Sequence, residues 1–217
     1  MDTKTNIIQA AIRVFNQKGY GASSLQDIAN ALNVGRRNIA YHFPSKEDVL
    51  KTIAEELWAK LETERGNRRD FPSFENLDRE ARMYYRFQRD YAFIFQDQHV
   101  AKHPIMEKGF RDLCLHSIEV NESAIAFAVK VGNMKPEPFP GAYHNLALTV
   151  WIIAYSWMAQ QAVRNQKPGE GPDKVIWSLT ISYFTEKGIQ SFKAFFGEDY
   201  YNSLGQPFNV EIDKHIF

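Results

Sequence analysis

Apolar residues recur at steps of three and four along almost the whole chain, the spacing of helices, and no alternating strand pattern precedes the tail. The expected fold class is therefore all-α. Ile8, Ala11, Ile12 and Phe15 line one side of a first helix that Gly19 ends. Ser24 caps a short second helix by taking the amide of Asp27, with Leu25, Ile28, Ala29 and Leu32 on its buried side. Asn33 and Val34 form a tight turn, and Gly35 opens a third helix that must stop before Pro44. Ser45 caps a fourth helix with Leu50, Ile53, Leu57 and Leu61 on one stripe. The composition changes over 66–70, just before Pro72, which reads as a domain boundary.

Four long helices are expected beyond it. The first steps through Leu77, Tyr84, Tyr91 and Phe95, and the second runs from Met106 until Gly132 stops it. The third, from about Tyr143 to Arg164, is apolar nearly all round, the mark of a helix covered on every side. The last begins at Asp173 and carries the seam Trp177, Ile181, Phe184, Gly188, Phe192 and Phe195. Gly188 inside a helix costs about 1 kcal/mol against alanine, which a close helix–helix approach would justify. In the tail, Phe208, Val210 and Ile212 alternate as in an extended segment.

Composition narrows the picture. With 44% hydrophobic and 14% aromatic residues in 217, burying a core is not the difficulty. The formal net charge is zero, so a nucleic-acid partner could be held only by a local patch. One cysteine, Cys114, leaves no internal disulfide framework and suits a reducing compartment. The amino terminus has no signal-peptide character, and Leu146–Ala159 is shorter than a bilayer span of roughly 30 Å, so a cytoplasmic protein without a membrane partner is expected.

A three-helix unit with a tight turn between its second and third helices is a helix-turn-helix, whose later helix enters the major groove of DNA. Val34, Ile39 and Phe43 are expected to face the preceding helices. Arg36, Arg37 and Asn38 then project from the outer side at the amino-terminal end. Arginine suits the O6 and N7 acceptors of guanine, and asparagine the N6 and N7 of adenine. Tyr41, His42 and Lys46 flank a helix end and the next helix start, where phosphates are held.

Residues 4–50 resemble the DNA-binding domain of the TetR family of bacterial transcriptional regulators. The resemblance rests on Lys4, Ile7, Ile8, Ala11, Phe15, Gly19, Tyr20, Ser24, Asp27, Ile28, Ala29, Val34, Tyr41, His42, Phe43, Ser45, Lys46 and Glu47. The rest of the chain is similar in architecture only. The resemblance implies an amino-terminal helix-turn-helix domain over 1–50, a connecting helix over about 45–65, and a larger helical ligand-binding and dimerisation domain over 66–217. It implies base or groove contacts from Gln26, Arg36, Arg37 and Asn38. It gives phosphate contacts to Tyr41, His42 and Lys46, with Ser24 at the neighbouring helix start. Three positions depart from the family pattern. Gly35 stands where a capping serine is common, Arg37 where a small residue is usual, and Ala40 where a tyrosine contacts DNA.

The aromatic residues of the second region exceed what a thin bundle needs, so an interior cavity for an apolar ligand is expected. Tyr84, Gln88, Tyr91, His116, Phe127, Trp151, Tyr155 and Met158 are its candidate lining. His99 and His103 have metal-ligand spacing, but Pro104 breaks the helix before Glu107 could join them. Cys114 reads as a small buried hydrophobe. No nucleophile–base order, carboxylate pair or phosphate loop stands out, so neither an enzyme nor a cofactor is expected. The expected protein is a homodimeric repressor, paired through its last two long helices and released from operator DNA by a small, largely apolar molecule. The fourth helix is expected to join its two regions. A helical ligand-binding protein that has lost DNA binding stays open as the alternative, because of Ala40 and the neutral net charge.

Overall fold

The computed structural model describes residues 3–66, 72–164 and 171–205. The described residues are helical, with a single antiparallel bridge, Met134 to Phe184, and no strand. They group into two compact units. The first takes 3–66 together with Phe87–Leu113, and the second takes 72–86, 114–164 and 171–205.

The first unit opens with α1 (Thr3–Lys18), α2 (Leu25–Ala31), α3 (Arg36–His42) and α4 (Lys46–Arg65). Ile7, Ile8, Ala11 and Phe15 of α1 are buried, and Gly19 ends that helix with a left-handed φ of 81°. A capping box opens α2. The Asp27 amide donates to Ser24 Oγ at 3.3 Å, and the Ser24 amide donates to Asp27 Oδ2 at 2.9 Å. Ser45 and Asp48 repeat the device at α4, at 3.1 and 2.9 Å. Asn33 takes the left-handed φ of 53° that makes the α2–α3 turn tight, a conformation asparagine tolerates. Ile39 and Phe43 are buried as expected, whereas Val34 is 37% exposed and does not join them. Its amide is used instead, donating to Ala29 O at 3.0 Å to close the turn.

The helix expected to run on to Phe95 breaks at Tyr91 into α5 (Phe74–Asp90) and α6 (Ala92–Gln96). The cause lies on α1. Asn16 Nδ2 donates to the Asp90 carbonyl at 2.9 Å, and its Oδ1 accepts from the Phe93 amide at 3.0 Å. One side chain thus satisfies both backbone groups that the break frees. Phe15 packs edge-on to Phe93 and Tyr20 edge-on to His103. The short α7 (Gln98–Ala101) follows, capped by Asp97, and α8 (Pro104–Lys130) starts with proline at its first position, where no amide is missed. Gly109 lets α8 approach α4 so closely that a Cβ there would lie 2.2 Å from the Trp58 ring. The helices α5 and α8 have residues in both units, and α4 does not.

The second unit adds α9 (Ala142–Val163), α10 (Asp173–Thr180), a 3₁₀ turn at Ile181–Tyr183, α11 (Glu186–Phe196) and α12 (Glu198–Ser203). Its core holds Met134, Leu146, Ala147, Trp177, Phe184 and Phe192. Phe74 packs against Trp177, Phe184, Phe192 and Phe196. The single last helix expected from Asp173 onward is interrupted, because backbone at 183–185 pairs with the turn after α8. The Lys135 amide donates to Tyr183 O at 2.9 Å, and the Thr185 amide donates to Asn133 O at 3.0 Å. Thr185 then caps α11 by accepting from the Gly188 amide at 3.1 Å. Gly188 is a site of close approach, but to this turn: a Cβ would lie 1.9 Å from Asn133 O. The helix α9 is apolar all round yet not covered on every side, since Ile152 is 51% and Val163 87% exposed. Its 22 residues are long and apolar enough, by length and composition alone, to cross a bilayer. The alternating tail positions Phe208, Val210 and Ile212 lie outside the described residues.

Candidate nucleic-acid interface and interior cavity

Local sequence sets the outer surface of α3. Ile39 and Phe43 are drawn into the core of the first unit, which leaves Arg36, Arg37, Asn38 and Tyr41 facing outward. Arg36, Arg37 and Asn38 are all exposed in the first turn, and Tyr41 is 84% exposed one turn on. Neither guanidinium has an ion pair or side-chain hydrogen bond among the described residues. Gly35 begins the helix without a side-chain cap, so the first-turn amides keep no side-chain acceptor from that position. Tyr41 and His42 stack edge to face at 5.1 Å. Ala40 is half-buried and offers no polar atom.

The neighbouring helix starts are built differently. At α2, Ser24 and Asp27 occupy each other, and Ser24 Oγ also donates to Asp27 Oδ2 at 2.6 Å. The Lys18 ammonium hydrogen-bonds Asp27, and that contact, with the Ser24 bonds, draws the Asp27 carboxyl down from 3.8 to about 2. Gln26 is exposed beside them and donates to Asn30 Oδ1 at 2.8 Å. At α4, Lys46 does not reach outward. Its ammonium donates to the carbonyls of Tyr20 (2.8 Å) and Ser23 (2.9 Å), approaches Gly21 O (3.5 Å), and sits 4.3 Å over the Tyr20 ring. It clips the α1–α2 turn to the start of α4. Burial, then the Glu47 charge, pushes the Tyr20 phenol up to about 12.

The second unit holds a cavity of about 460 Å³ that is partly open to its surroundings. Its aromatic wall is Phe74, Tyr84, Phe127, Trp177, Phe184 and Phe195, closed by aliphatic side chains such as Leu77, Leu146 and Val150. Ala154 faces it from α9, and Ser117 and Asn121 supply polar atoms from α8. Of the eight residues expected from sequence, Tyr84 and Phe127 line this space. Gln88 and Tyr91 are buried in the first unit. His116, Trp151, Tyr155 and Met158 lie off the lining, with Trp151 and Tyr155 stacked on each other at 5.2 Å. The aromatic lining residues that sequence reasoning missed, Phe74, Trp177, Phe184 and Phe195, come from helix ends or the broken last helix. Their aromatic character was the available signal. Among the described residues no group of three His, Cys, Asp or Glu side chains is disposed to hold a metal ion.

The family model described as bacterial regulatory proteins, tetR family, matches residues 7–53, and that described as bacterial transcriptional repressor matches residues 53–192. The probable HTH-type transcriptional regulator YttP of Bacillus subtilis (strain 168) is 33% identical over 58 residues, which are 27% of this chain and 28% of YttP. The chain is thus aligned with little more than a quarter of that relative's length. A TetR-family transcriptional regulator from Marinobacter aquaeolei VT8 shares the fold with a TM-score of 0.76 at 20% identity, over 92% of this chain and 99% of that one. AibR, solved in complex with isovaleryl coenzyme A and operator DNA, superposes with a TM-score of 0.60 at 18% identity, over 84% and 98% of the two chains. With both family models together spanning most of its length, and with a helix-turn-helix at its amino-terminal end, this chain belongs to the TetR family of bacterial regulatory proteins.

Proposed function

We propose that the protein represses transcription as a homodimer, each protomer laying α3 in the major groove, and that a small ligand in the second unit's cavity releases it. The observation that carries this reading is the exposed Arg36–Arg37–Asn38 face at the start of α3, with no competing side-chain partner among the described residues. Two arginines there suit guanine, and Asn38 suits adenine. Tyr41 and His42 are assigned to phosphates beyond the helix end, Gln26 to the groove edge, and Ser24 to the backbone near the α2 start. Lys46 serves the interface at one remove, by fixing the turn between α1 and α2.

Dimerisation is supported by the uncovered apolar side of α9, where Ile152 and Val163 project, together with Leu179 and Phe195 of the broken last helix. Burying such a face against its two-fold copy is the usual solution for helical chains and would present two recognition helices about 34 Å apart. Twice the chain mass of 25.1 kDa is the expected solution mass. Release is assigned to α5. Its first turns line the cavity, and its last carbonyl, Asp90 O, is held by Asn16 of α1. A ligand that favours one position of α5 shifts α1 with it, provided it binds that position better than the other.

The test is binding of the full-length protein to its own promoter fragment. Arg36→Ala combined with Arg37→Ala should weaken specific binding by about 1–3 kcal/mol for each bidentate arginine–guanine pair that disappears. The melting temperature should hardly move, because exposed side chains outside networks contribute little to folding. Unchanged promoter affinity in the double variant would remove α3 as the reading helix.

A further inference from the structure

The cavity carries a charge pattern that its apolar walls do not require. Its carboxyl-bearing lining side chains are Glu75, Glu80 and Asp173, and no described lining residue is lysine, arginine or histidine. Neither Glu75 nor Glu80 has an ion pair or side-chain hydrogen bond among the described residues. Asp173 accepts from the Tyr200 hydroxyl at 2.6 Å. The cation whose field reaches Asp173, Arg82, is already held by Asp78 at 2.7 Å and does not line the cavity. Set against these carboxylates are six aromatic rings, whose negative faces attract cations.

An anion entering this space would meet like charges while losing its hydration, and a neutral molecule would leave the carboxylates unused. We infer that the cavity selects hydrophobic organic cations: an aromatic or aliphatic body bearing one quaternary or protonated centre, with the body against Phe74, Phe127 and Trp177 and the charge toward Glu75 and Glu80. The inference rests on the reading of this cavity as the effector site, and it narrows the effector from an apolar molecule to an apolar cation. The carboxylates at the half-buried Glu80 and the exposed Glu75 make entry electrostatically steered and sensitive to salt.

The experiment uses two probes of matched size and opposite charge, tetraphenylphosphonium and tetraphenylborate, titrated into the full-length protein by calorimetry and by tryptophan fluorescence. Tetraphenylphosphonium should bind more tightly than tetraphenylborate. Glu75→Gln combined with Glu80→Gln should cost the cation about tenfold in affinity while leaving the anion unchanged or improved. Ala154→Trp should abolish cation binding, which locates it in the cavity. Equal or tighter binding of tetraphenylborate, no binding of tetraphenylphosphonium, or a cation affinity indifferent to the two glutamines would each overturn the inference. The same titration on the promoter complex separates the two readings. Carboxylate-dependent binding of the cation that leaves the complex intact upholds the ligand class and removes the release mechanism. Release of DNA by a neutral compound, with the cation unbound, does the reverse.

Discussion

Replacing Gly188 by alanine should destabilise the protein, although a glycine-to-alanine change in a helix ordinarily does the opposite. The backbone at Gly188 does not need glycine, since its φ is not among the positive values. Space does, because the new Cβ would lie 1.9 Å from Asn133 O. An ordinary C···O contact is about 3.3 Å, so α11 or the turn must retreat by more than an ångström. That turn is pinned: Asn133 N–H and Met134 N–H donate to Ala128 O at 2.8 and 3.0 Å, and Thr185 Oγ1 donates to Gly132 O at 2.7 Å. Retreat would break the Thr185-to-Asn133 backbone bond, worth about 1 kcal/mol net. Overpacking adds about 1–3 kcal/mol, and alanine's better helix propensity returns at most about 1 kcal/mol. The expected net loss is roughly 1–3 kcal/mol. At about 2–4 °C per kcal/mol for a chain of this size, melting followed by far-ultraviolet circular dichroism should fall by roughly 2–12 °C. The soluble variant should keep the wild-type mass in light scattering, since the clash lies within one chain. A variant that melts at or above wild type would refute the argument, and a shift to monomer with unchanged melting would place the close approach between chains instead.

Three further outcomes follow from the same geometry. Lys46→Met should lower the melting temperature, since charged-donor bonds to the Tyr20 and Ser23 carbonyls are worth about 1.5–3 kcal/mol each before solvent screening; an unchanged melt with a flatter salt dependence of DNA binding would instead make Lys46 a phosphate ligand. The Asp27 carboxyl is held at about 2, below its ordinary value of 3.8, so its contribution to stability is complete above that value and disappears as pH falls through about 2. The melting difference between wild type and Asp27→Asn should accordingly be constant near neutrality and close between about pH 4 and 2; a gap that persists below that window would count against the Lys18 contact as its cause. Ala154→Trp, which fills part of the cavity, should leave promoter affinity intact while making the complex insensitive to any ligand that releases the wild-type protein, and loss of DNA binding by this variant would show that the wall residue supports the fold.

What could be read from the sequence was what neighbours in sequence decide. Ser24 with Asp27 and Ser45 with Asp48 declare their helix starts within four residues, and the Leu50–Leu61 stripe declares the buried side of α4. The outward face of α3 followed once Ile39 and Phe43 were assigned to the core. Partners distant in sequence decided the rest. The break at Tyr91 depends on Asn16, and the break at Phe184 depends on the turn at Asn133; neither leaves a proline or glycine at the interruption. Lys46 looked like an outward cation because its acceptors are backbone carbonyls, which sequence does not display. Trp151 and Tyr155 looked like cavity residues for a similar reason, since an aromatic side chain on an all-apolar helix does not reveal which side it takes. The acidic bias of the cavity was hidden because Glu75, Glu80 and Asp173 lie on helix segments that read as ordinary solvated surface.

The grip of Asn16 on the end of α5 has a consequence for which residues the chain can exchange. A single hydrogen bond between two elements is a hinge, free to swivel. Asn16 makes two, giving a proton to Asp90 O and taking one from Phe93 N through one planar amide. The paired bonds leave neither sliding nor rotation free at that point. Aspartate there would lose the donor and set a charge against a carbonyl, and leucine of similar size would leave two backbone groups unanswered. An exposed side chain that belongs neither to the Arg36 face nor to the cavity wall thereby fixes where α5 ends and α6 begins.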